Sequence, residues 1–159
     1  MSEGNQALLV IDMQEDYVGA KSRYGYDPGL ISAVNTRIQE AQQAGDLVIY
    51  VKNVVPQKGR PYCSALAAGL EVVSDIMIEK NRASAFSNTL LAKALQEHRI
   101  TQIVLTGVDG NYCVKATAID AAKAGYSVAF SMQYIGIRNA ARFIGTKERL
   151  RKENILVTE

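Results

Sequence analysis

The chain of 159 residues alternates, almost from end to end, between short apolar runs and longer segments with helical periodicity. Ala7–Ile11 is a continuous apolar run that ends at Asp12, which is typical of a central strand buried on both faces. Further strands are predicted at residues 47–51, 76–78, 103–105, 126–130 and 155–157. This β-α-β alternation predicts a parallel sheet with helices on both faces.

Helices are predicted in the intervals between these strands. Asp27 and Pro28 supply an N-cap and a first-turn proline for a helix that ends at Gly45. Ser87 is predicted to cap the next helix. The last two helices are predicted at residues 113–124 and 139–153.

Three side chains with useful chemistry fall where predicted strands end. Asp12 follows the first strand, Lys80 the third and Cys113 the fourth. Because ligands bind at the carboxyl ends of parallel strands, these side chains are expected at one rim of the sheet. Their convergence points to a functional site.

Cys113 is predicted to start a helix, where unpaired N–H groups and the helix dipole favour thiolate over thiol. Asp12 is a candidate to accept the thiol proton and later deliver it to a leaving amine. Lys80 is expected to lower the pKa of both neighbours. Backbone N–H groups of the turn at 108–113 are candidates for an oxyanion hole, helped by Gly107 and Gly110.

Composition narrows the class of protein. With 48% hydrophobic residues, 21% charged residues and a net charge of +2, one globular domain over residues 1–159 is expected, without nucleic-acid or membrane binding. Two cysteines and no secretory signal predict a cytoplasmic setting. Cys-x-x-Cys, Cys-x5-Arg and Gly-x-Gly-x-x-Gly motifs are absent, so redox, phosphatase and dinucleotide-binding interpretations fail.

Three blocks of sequence resemble the isochorismatase-like cysteine hydrolases. They are Leu9–Gln14 (LVIDMQ), Ile78–Leu90 (IEKNRASAFSNTL) and Thr106–Ala118 (TGVDGNYCVKATA). Each block alone is a weak signal, whereas the three in this order and spacing are specific. The resemblance covers nearly the whole chain.

The resemblance implies a three-layer α/β/α fold, Rossmann-like, with a six-stranded parallel sheet in the order 3-2-1-4-5-6. It also implies a catalytic triad of Asp12, Lys80 and Cys113. Relatives typically have a cis peptide shortly before the nucleophile, which here is Val108–Asp109. The N–H groups of Asp109 and Cys113 are then the expected oxyanion donors.

The resemblance further implies hydrolysis of a small carboxamide or related C–N bond through a thioester, with no cofactor. Nicotinamidases of this family carry an Asp-x-His-x-x-His metal site, but this chain has a single histidine, His98, so no metal site is expected. The alternative is a catalytically weak or silent member of the same fold that binds or assembles. A homo-oligomer is expected, as is common among relatives.

The remaining candidates are aromatic residues and the second cysteine. Tyr17, Phe86 and Tyr112 are predicted to contact the substrate because they lie in loops near the rim. Surface or oligomer contacts explain these rings equally well. Cys63 is interpreted as a packing residue, since no partner motif surrounds it.

Overall fold

The computed structural model of the protein describes residues 5–159 and contains eight strands and four α-helices in that range. The strands are β1 (Gln6–Ile11), β2 (Leu47–Asn53), β3 (Val55–Gln57), β4 (Arg60–Tyr62), β5 (Met77–Lys80), β6 (Gln102–Val108), β7 (Ser127–Gly136) and β8 (Leu156–Thr158). The helices are α1 (Leu30–Ala44), α2 (Thr89–Glu97), α3 (Cys113–Lys123) and α4 (Ala140–Lys152).

Six of the strands form one sheet in the order β5-β2-β1-β6-β7-β8, and every neighbouring pair is parallel. Counted within this sheet alone, the order is 3-2-1-4-5-6, so the predicted order is confirmed. Strands β3 and β4 form a separate antiparallel hairpin, which the sequence reasoning did not predict.

The sheet is the middle of three layers, because successive side chains of β1 point to opposite faces. Leu8 and Val10 pack in one apolar cluster with the buried face of α1. Ala7, Leu9 and Ile11 pack in a second cluster with α2, α3 and α4. The predicted three-layer fold is therefore confirmed.

Three predicted boundaries are wrong in detail. Helix α1 begins at Leu30 with Gly29 at its N-cap, two residues later than predicted, because Asp27 accepts from the Gly29 N–H before the helix begins. Helix α2 is capped by Asn88, whose side chain accepts from the Leu90 N–H, whereas Ser87 ends a short 3-10 helix. The strand predicted at 126–130 runs on to Gly136, because pairing with β6 resumes at Gly107 after an irregularity in register. This extension carries the chain to the carboxyl edge of the sheet.

No helix among residues 5–159 is long and apolar enough to cross a membrane.

Candidate active site

The three side chains predicted to meet at the carboxyl edge of the sheet do meet there. Lys80 Nζ lies 3.2 Å from Asp12 Oδ2 and 3.4 Å from Cys113 Sγ. Asp12 follows β1, Lys80 ends β5 and Cys113 begins α3. The Lys80 and Asp12 side chains are 0% and 5% exposed, so the ion pair is buried, whereas the sulfur is only partly covered.

The backbone around β1 and β6 sets these positions. Asp12 has a left-handed conformation with φ 55°, and its N–H donates to the Val51 carbonyl of β2 at 2.9 Å. Gly107 of β6 has φ 112°, and a Cβ at this position would overlap the backbone of Ile11. The two strands therefore approach closely just before each turns into the site, and this approach requires glycine.

Burial has the largest effect on the pKa of both Asp12 and Cys113. Desolvation raises the pKa of Asp12 above 3.8, and the attraction of Lys80 offsets only part of that rise. Burial and then the carboxylate of Asp12 raise the pKa of Cys113 to about 11, against the opposing effect of Lys80. Burial therefore opposes the thiolate that the start of a helix favours, and the thiol lies beside a carboxylate that can take its proton.

Asn53, at the end of β2, is a site residue that the sequence reasoning missed. Its Oδ1 accepts from Lys80 Nζ at 3.1 Å, and its Nδ2 donates to the Tyr17 hydroxyl at 3.1 Å. Its backbone N–H donates to Oε1 of the fully buried Gln14 at 2.6 Å. Lys80 is thus held between one carboxylate and one neutral amide. Only the position of Asn53 at a strand's carboxyl end could have indicated it.

The turn between β6 and α3, which leads to Cys113, has unpaired backbone donors. The Val108–Asp109 peptide bond is cis. Among the described residues, the N–H groups of Asp109 and Cys113 donate to no other group, whereas those of Gly110 and Tyr112 are hydrogen-bonded. The two free donors are the pair expected to form an oxyanion hole.

The side chain of Asp109 holds this turn in place. Its Oδ2 accepts from the Tyr26 hydroxyl at 2.9 Å and from the Arg138 N–H at 3.1 Å. Its Oδ1 accepts from the Asn111 N–H at 2.8 Å. Burial and the Asp109 carboxylate raise the pKa of Tyr26, so its hydroxyl remains a donor.

A cavity of about 160 Å³ opens beside the sulfur. Four tyrosines line it, Tyr17, Tyr24, Tyr26 and Tyr112, together with Asp12, Asn53, Asp109 and Arg138. Two of the predicted substrate contacts, Tyr17 and Tyr112, are therefore in the wall. Phe86 is not among the lining residues: its ring packs against Tyr126, 6.2 Å between centroids. The structure gives Phe86 a packing position instead.

The described residues do not provide the Asp-x-His-x-x-His metal site that the resemblance associates with nicotinamidases. No group of three or more His, Cys, Asp or Glu side chains within residues 5–159 is arranged to hold a metal ion. His98 lies at the C-terminal end of α2, where its ring nitrogen contacts the Ala94 carbonyl. Asn53, at the end of β2, places a neutral amide rather than a carboxylate next to Lys80.

Several known proteins with similar sequences are named as amidohydrolases, and one is named as probably inactive. A probable inactive nicotinamidase of Arabidopsis thaliana is 32% identical, with 77% of this chain and 75% of the relative covered. The maleamate amidohydrolase of Pseudomonas putida is 27% identical, covering 84% and 73%. The zinc-bound pyrazinamidase of Pyrococcus horikoshii is 26% identical, covers 98% and 99%, and superposes with a TM-score of 0.80.

The family model of the isochorismatase domain matches residues 6–133, from the first strand through most of β7. That range contains β1, β5 and the β6–α3 turn, which supply all three central side chains of the site. With this match and relatives of the same kind, the chain belongs to the isochorismatase family.

Proposed function

We propose that the protein is a metal-independent cysteine hydrolase of a small carboxamide or related C–N bond. The observation that carries this proposal is the contact of Lys80 Nζ with both Asp12 Oδ2 and Cys113 Sγ, two residues that line one cavity. Amidohydrolase relatives support the reaction class. The volume of about 160 Å³ suits a small substrate.

Asp12 acts as the general base of the first step. Its buried carboxylate accepts the thiol proton while the sulfur attacks the substrate carbonyl carbon. The raised pKa of Asp12 makes it a better proton acceptor than an ordinary carboxylate. Because Oδ1 of Asp12 accepts no hydrogen bond from an N–H or O–H group of the described residues, it is open to the incoming proton.

The tetrahedral oxyanion is stabilised by the free N–H groups of Asp109 and Cys113, at about 2.7–4 kcal/mol per donor. The C–N bond then breaks, and Asp12 gives its proton to the leaving nitrogen. This leaves a thioester on Cys113. Asp12 next takes a proton from water, the hydroxide attacks the thioester and the C–S bond breaks. The sulfur recovers the proton and the acid product leaves.

Lys80 compensates the negative charge that moves between Asp12 and the sulfur. Its ammonium lies within 3.4 Å of both groups, so it stabilises whichever of them is ionised. Asn53 accepts a hydrogen bond from the same ammonium, and we assign it the role of positioning Lys80. No step in this scheme requires a metal ion.

Ammonia release from a panel of small primary carboxamides tests the proposal. The wild-type protein is expected to turn over, Cys113→Ala to lose at least about 10³-fold, and Cys63→Ala to retain activity. Mass spectrometry of a quenched reaction should find the acyl adduct on Cys113. Equal ammonia release by wild type and Cys113→Ala would remove the catalytic role. A loss on EDTA treatment that zinc restores would remove the metal independence.

A silent binding protein is the second candidate, because the relative that is 32% identical is named as a probable inactive enzyme. Under that alternative, Cys113→Ala leaves ligand binding unchanged and no amide on the panel is hydrolysed by either protein. The acyl adduct separates the two candidates, since a silent site forms none.

A further inference from the structure

Tyr17 contributes a neutral hydroxyl to the wall of the cavity beside the Cys113 sulfur. The backbone of Tyr17 is held on both sides: its N–H donates to the Gln14 carbonyl at 2.9 Å, and its carbonyl accepts from the Ser22 hydroxyl at 2.6 Å. Burial raises the pKa of Tyr17 above its ordinary value of 10, so the hydroxyl keeps its proton at neutral pH. The hydroxyl is therefore available as a hydrogen-bond donor.

The direction in which the Tyr17 hydroxyl donates follows from the ammonium of Lys80. An ammonium only donates hydrogen bonds, so Asn53 turns its Oδ1 to Lys80 Nζ, at 3.1 Å. The amide nitrogen Nδ2 of Asn53 then faces the Tyr17 hydroxyl, also at 3.1 Å. Because that nitrogen only donates, the phenolic oxygen accepts, and the hydroxyl proton points away from Asn53.

The protein keeps Asn53 in this orientation before any ligand binds. Oε1 of Gln14 accepts from the Asn53 N–H at 2.6 Å, and Nε2 of Gln14 donates to the Asn53 carbonyl at 3.1 Å. Gln14 is fully buried. A reversed Asn53 amide would set Nδ2 against the Lys80 ammonium, two donors with no acceptor between them. The order of donors and acceptors from Lys80 to Tyr17 is thus fixed.

The proton of the Tyr17 hydroxyl has no acceptor in the described part of the chain. Among residues 5–159, no group accepts a hydrogen bond from it, whereas the Tyr26 hydroxyl in the same cavity donates to Asp109 at 2.9 Å. A donor that is already oriented loses little freedom when an acceptor arrives. In a cavity of about 160 Å³, an acceptor beside Tyr17 and a carboxamide beside Cys113 must belong to one small molecule.

We propose that Tyr17 donates a hydrogen bond to an uncharged acceptor of the substrate, so that the preferred substrates are small carboxamides with a second, neutral acceptor group. The charge of Asp12 disfavours negative charge at Tyr17, which is why a neutral acceptor suits this position better than an anion. The proposal rests on the hydrolase function proposed above and adds its specificity. The Tyr17 hydroxyl makes no hydrogen bond to Asp12 or Cys113, so its role is specificity and not proton transfer.

Binding is measured by calorimetric titration in a Cys113→Ala background, which removes turnover. The probes are acetoacetamide and levulinamide, each compared with the analogue in which a C=CH₂ group replaces the ketone C=O. At least one ketone is expected to bind about 3- to 10-fold more tightly than its analogue, and adding Tyr17→Phe should abolish or reverse that preference. The ratio between the two ligands cancels any general effect of the variant on the site. Ketones and analogues that bind alike, or not at all, overturn the proposal.

Tyr24→Phe is the matched control, because it also removes one hydroxyl from the cavity wall. The Tyr24 hydroxyl makes no hydrogen bond to the described residues, so no side chain among them orients it. This variant should keep the full preference for the ketone. An equal loss of preference in Tyr24→Phe and Tyr17→Phe would mean that any hydroxyl of the wall supports ketone binding, and would overturn the assignment to Tyr17.

Asn53→Asp tests the orientation of the proton while the Tyr17 hydroxyl stays in place. A carboxylate at position 53 accepts both from Lys80 and from the Tyr17 hydroxyl, so the Tyr17 proton turns toward it and away from the ligand. At pH 8, in the Cys113→Ala background, this variant should lose the preference for the ketone. Full retention of the preference would overturn the orientation by Asn53 on which the proposal depends.

Turnover by protein that retains Cys113 separates failure of this proposal from failure of the hydrolase function. Tyr17→Phe should lower kcat/KM for the preferred ketone about 3- to 10-fold more than for its analogue. Ketones and analogues hydrolysed with equal kcat/KM overturn the acceptor specificity and leave the hydrolase. Binding of a ketone that depends on Tyr17, without ammonia release from any probe, supports the assignment to Tyr17 and overturns the hydrolase.

Discussion

Lys80 Nζ lies 3.2 Å from Asp12 Oδ2 in a pair that solvent barely reaches. Both groups lose hydration on folding, and their mutual attraction offsets this loss of hydration free energy only while both partners are present. The sulfur of Cys113 shares the same ammonium at 3.4 Å, so both the charge compensation of Asp12 and the proposed catalysis depend on one side chain. Removing either partner should therefore affect stability as well as chemistry.

Lys80→Met is expected to lower the free energy of unfolding by about 3–5 kcal/mol at pH 8, because it leaves the Asp12 carboxylate buried without a cation. The folded-state pKa of Asp12 is already raised, and loss of Lys80 raises it further. Protonation of a group with a raised pKa stabilises the folded state, and this stabilisation is lost as pH rises. The deficit of Lys80→Met should accordingly shrink between pH 8 and pH 5 in urea unfolding curves.

Lys21→Met serves as the surface control for that measurement. Lys21 lies 3.8 Å from Glu15 and its side chain is 79% exposed, so its loss should change stability by no more than about 0.5 kcal/mol. A deficit of Lys80→Met that is independent of pH, or no greater than that of Lys21→Met, would contradict a buried compensating charge.

Asp12→Asn is expected to change turnover and thiol reactivity in opposite directions. Removing the general base should lower kcat by about 10²–10⁴-fold. The Asp12 charge is also one of the causes that raise the pKa of Cys113, so its loss should lower that pKa and speed alkylation.

The measurement uses iodoacetamide in a Cys63→Ser background, which leaves one thiol. With aspartate present, labelling of Cys113 should rise about tenfold per pH unit from pH 7 toward its pKa of about 11. With asparagine, the curve should shift to lower pH. A shift to higher pH, or a plateau below pH 8 with aspartate present, would contradict the protonated resting thiol.

Whether the role of a site residue could be predicted from the sequence depends on how far along the chain its partners lie. Asp12, Lys80 and Cys113 were identified because they follow apolar strands, whose carboxyl ends share an edge in any parallel sheet. Asn53 and Tyr26 were not assigned roles, since their partners, Lys80 and Asp109, are 27 and 83 residues away. A single polar residue, whether at a strand end or in a loop, forms no sequence pattern that indicates such a contact.

The pKa of Cys113 could not be predicted from the sequence for the same reason. The start of a helix is a local feature, and α3 does begin at Cys113, whose N–H makes no hydrogen bond to the described residues. The larger effects, burial and the charge of Asp12, arise only when β1 and α3 come together. The extent of β7 was missed for a related reason, because polar residues such as Ser131 and Gln133 interrupt its apolar pattern.

Gly107→Ala is expected to lower the free energy of unfolding by about 2–3 kcal/mol, because its φ of 112° disfavours a side chain and the new Cβ would overlap Ile11. Relief of the overlap would push β1 and β6 apart at the point where Asp12 and the oxyanion turn leave the sheet, so kcat should fall too. Thermal unfolding and amide turnover measure the two effects.

Gly145→Ala is the control for that substitution. Gly145 lies inside α4 with open space around a new Cβ, so alanine should stabilise the helix by about 0.5–1 kcal/mol and leave kcat unchanged. Equal behaviour of the two alanine variants would show that the approach of β6 to β1 does not require glycine.

Tyr26→Phe tests whether the anchored Asp109 side chain keeps the oxyanion donors in place. The change removes the 2.9 Å hydrogen bond to Asp109 Oδ2, a bond to a charged acceptor, and should cost about 1.5–3 kcal/mol of stability. The freed turn should reduce kcat by about tenfold or more, since small displacements of oxyanion donors are costly.

Tyr24→Phe is the matched change in the same cavity, because the Tyr24 hydroxyl makes no hydrogen bond to the described residues and its ring still stacks under Arg138. Indistinguishable kcat and unfolding free energy in the two variants would mean that the Asp109 anchor is dispensable.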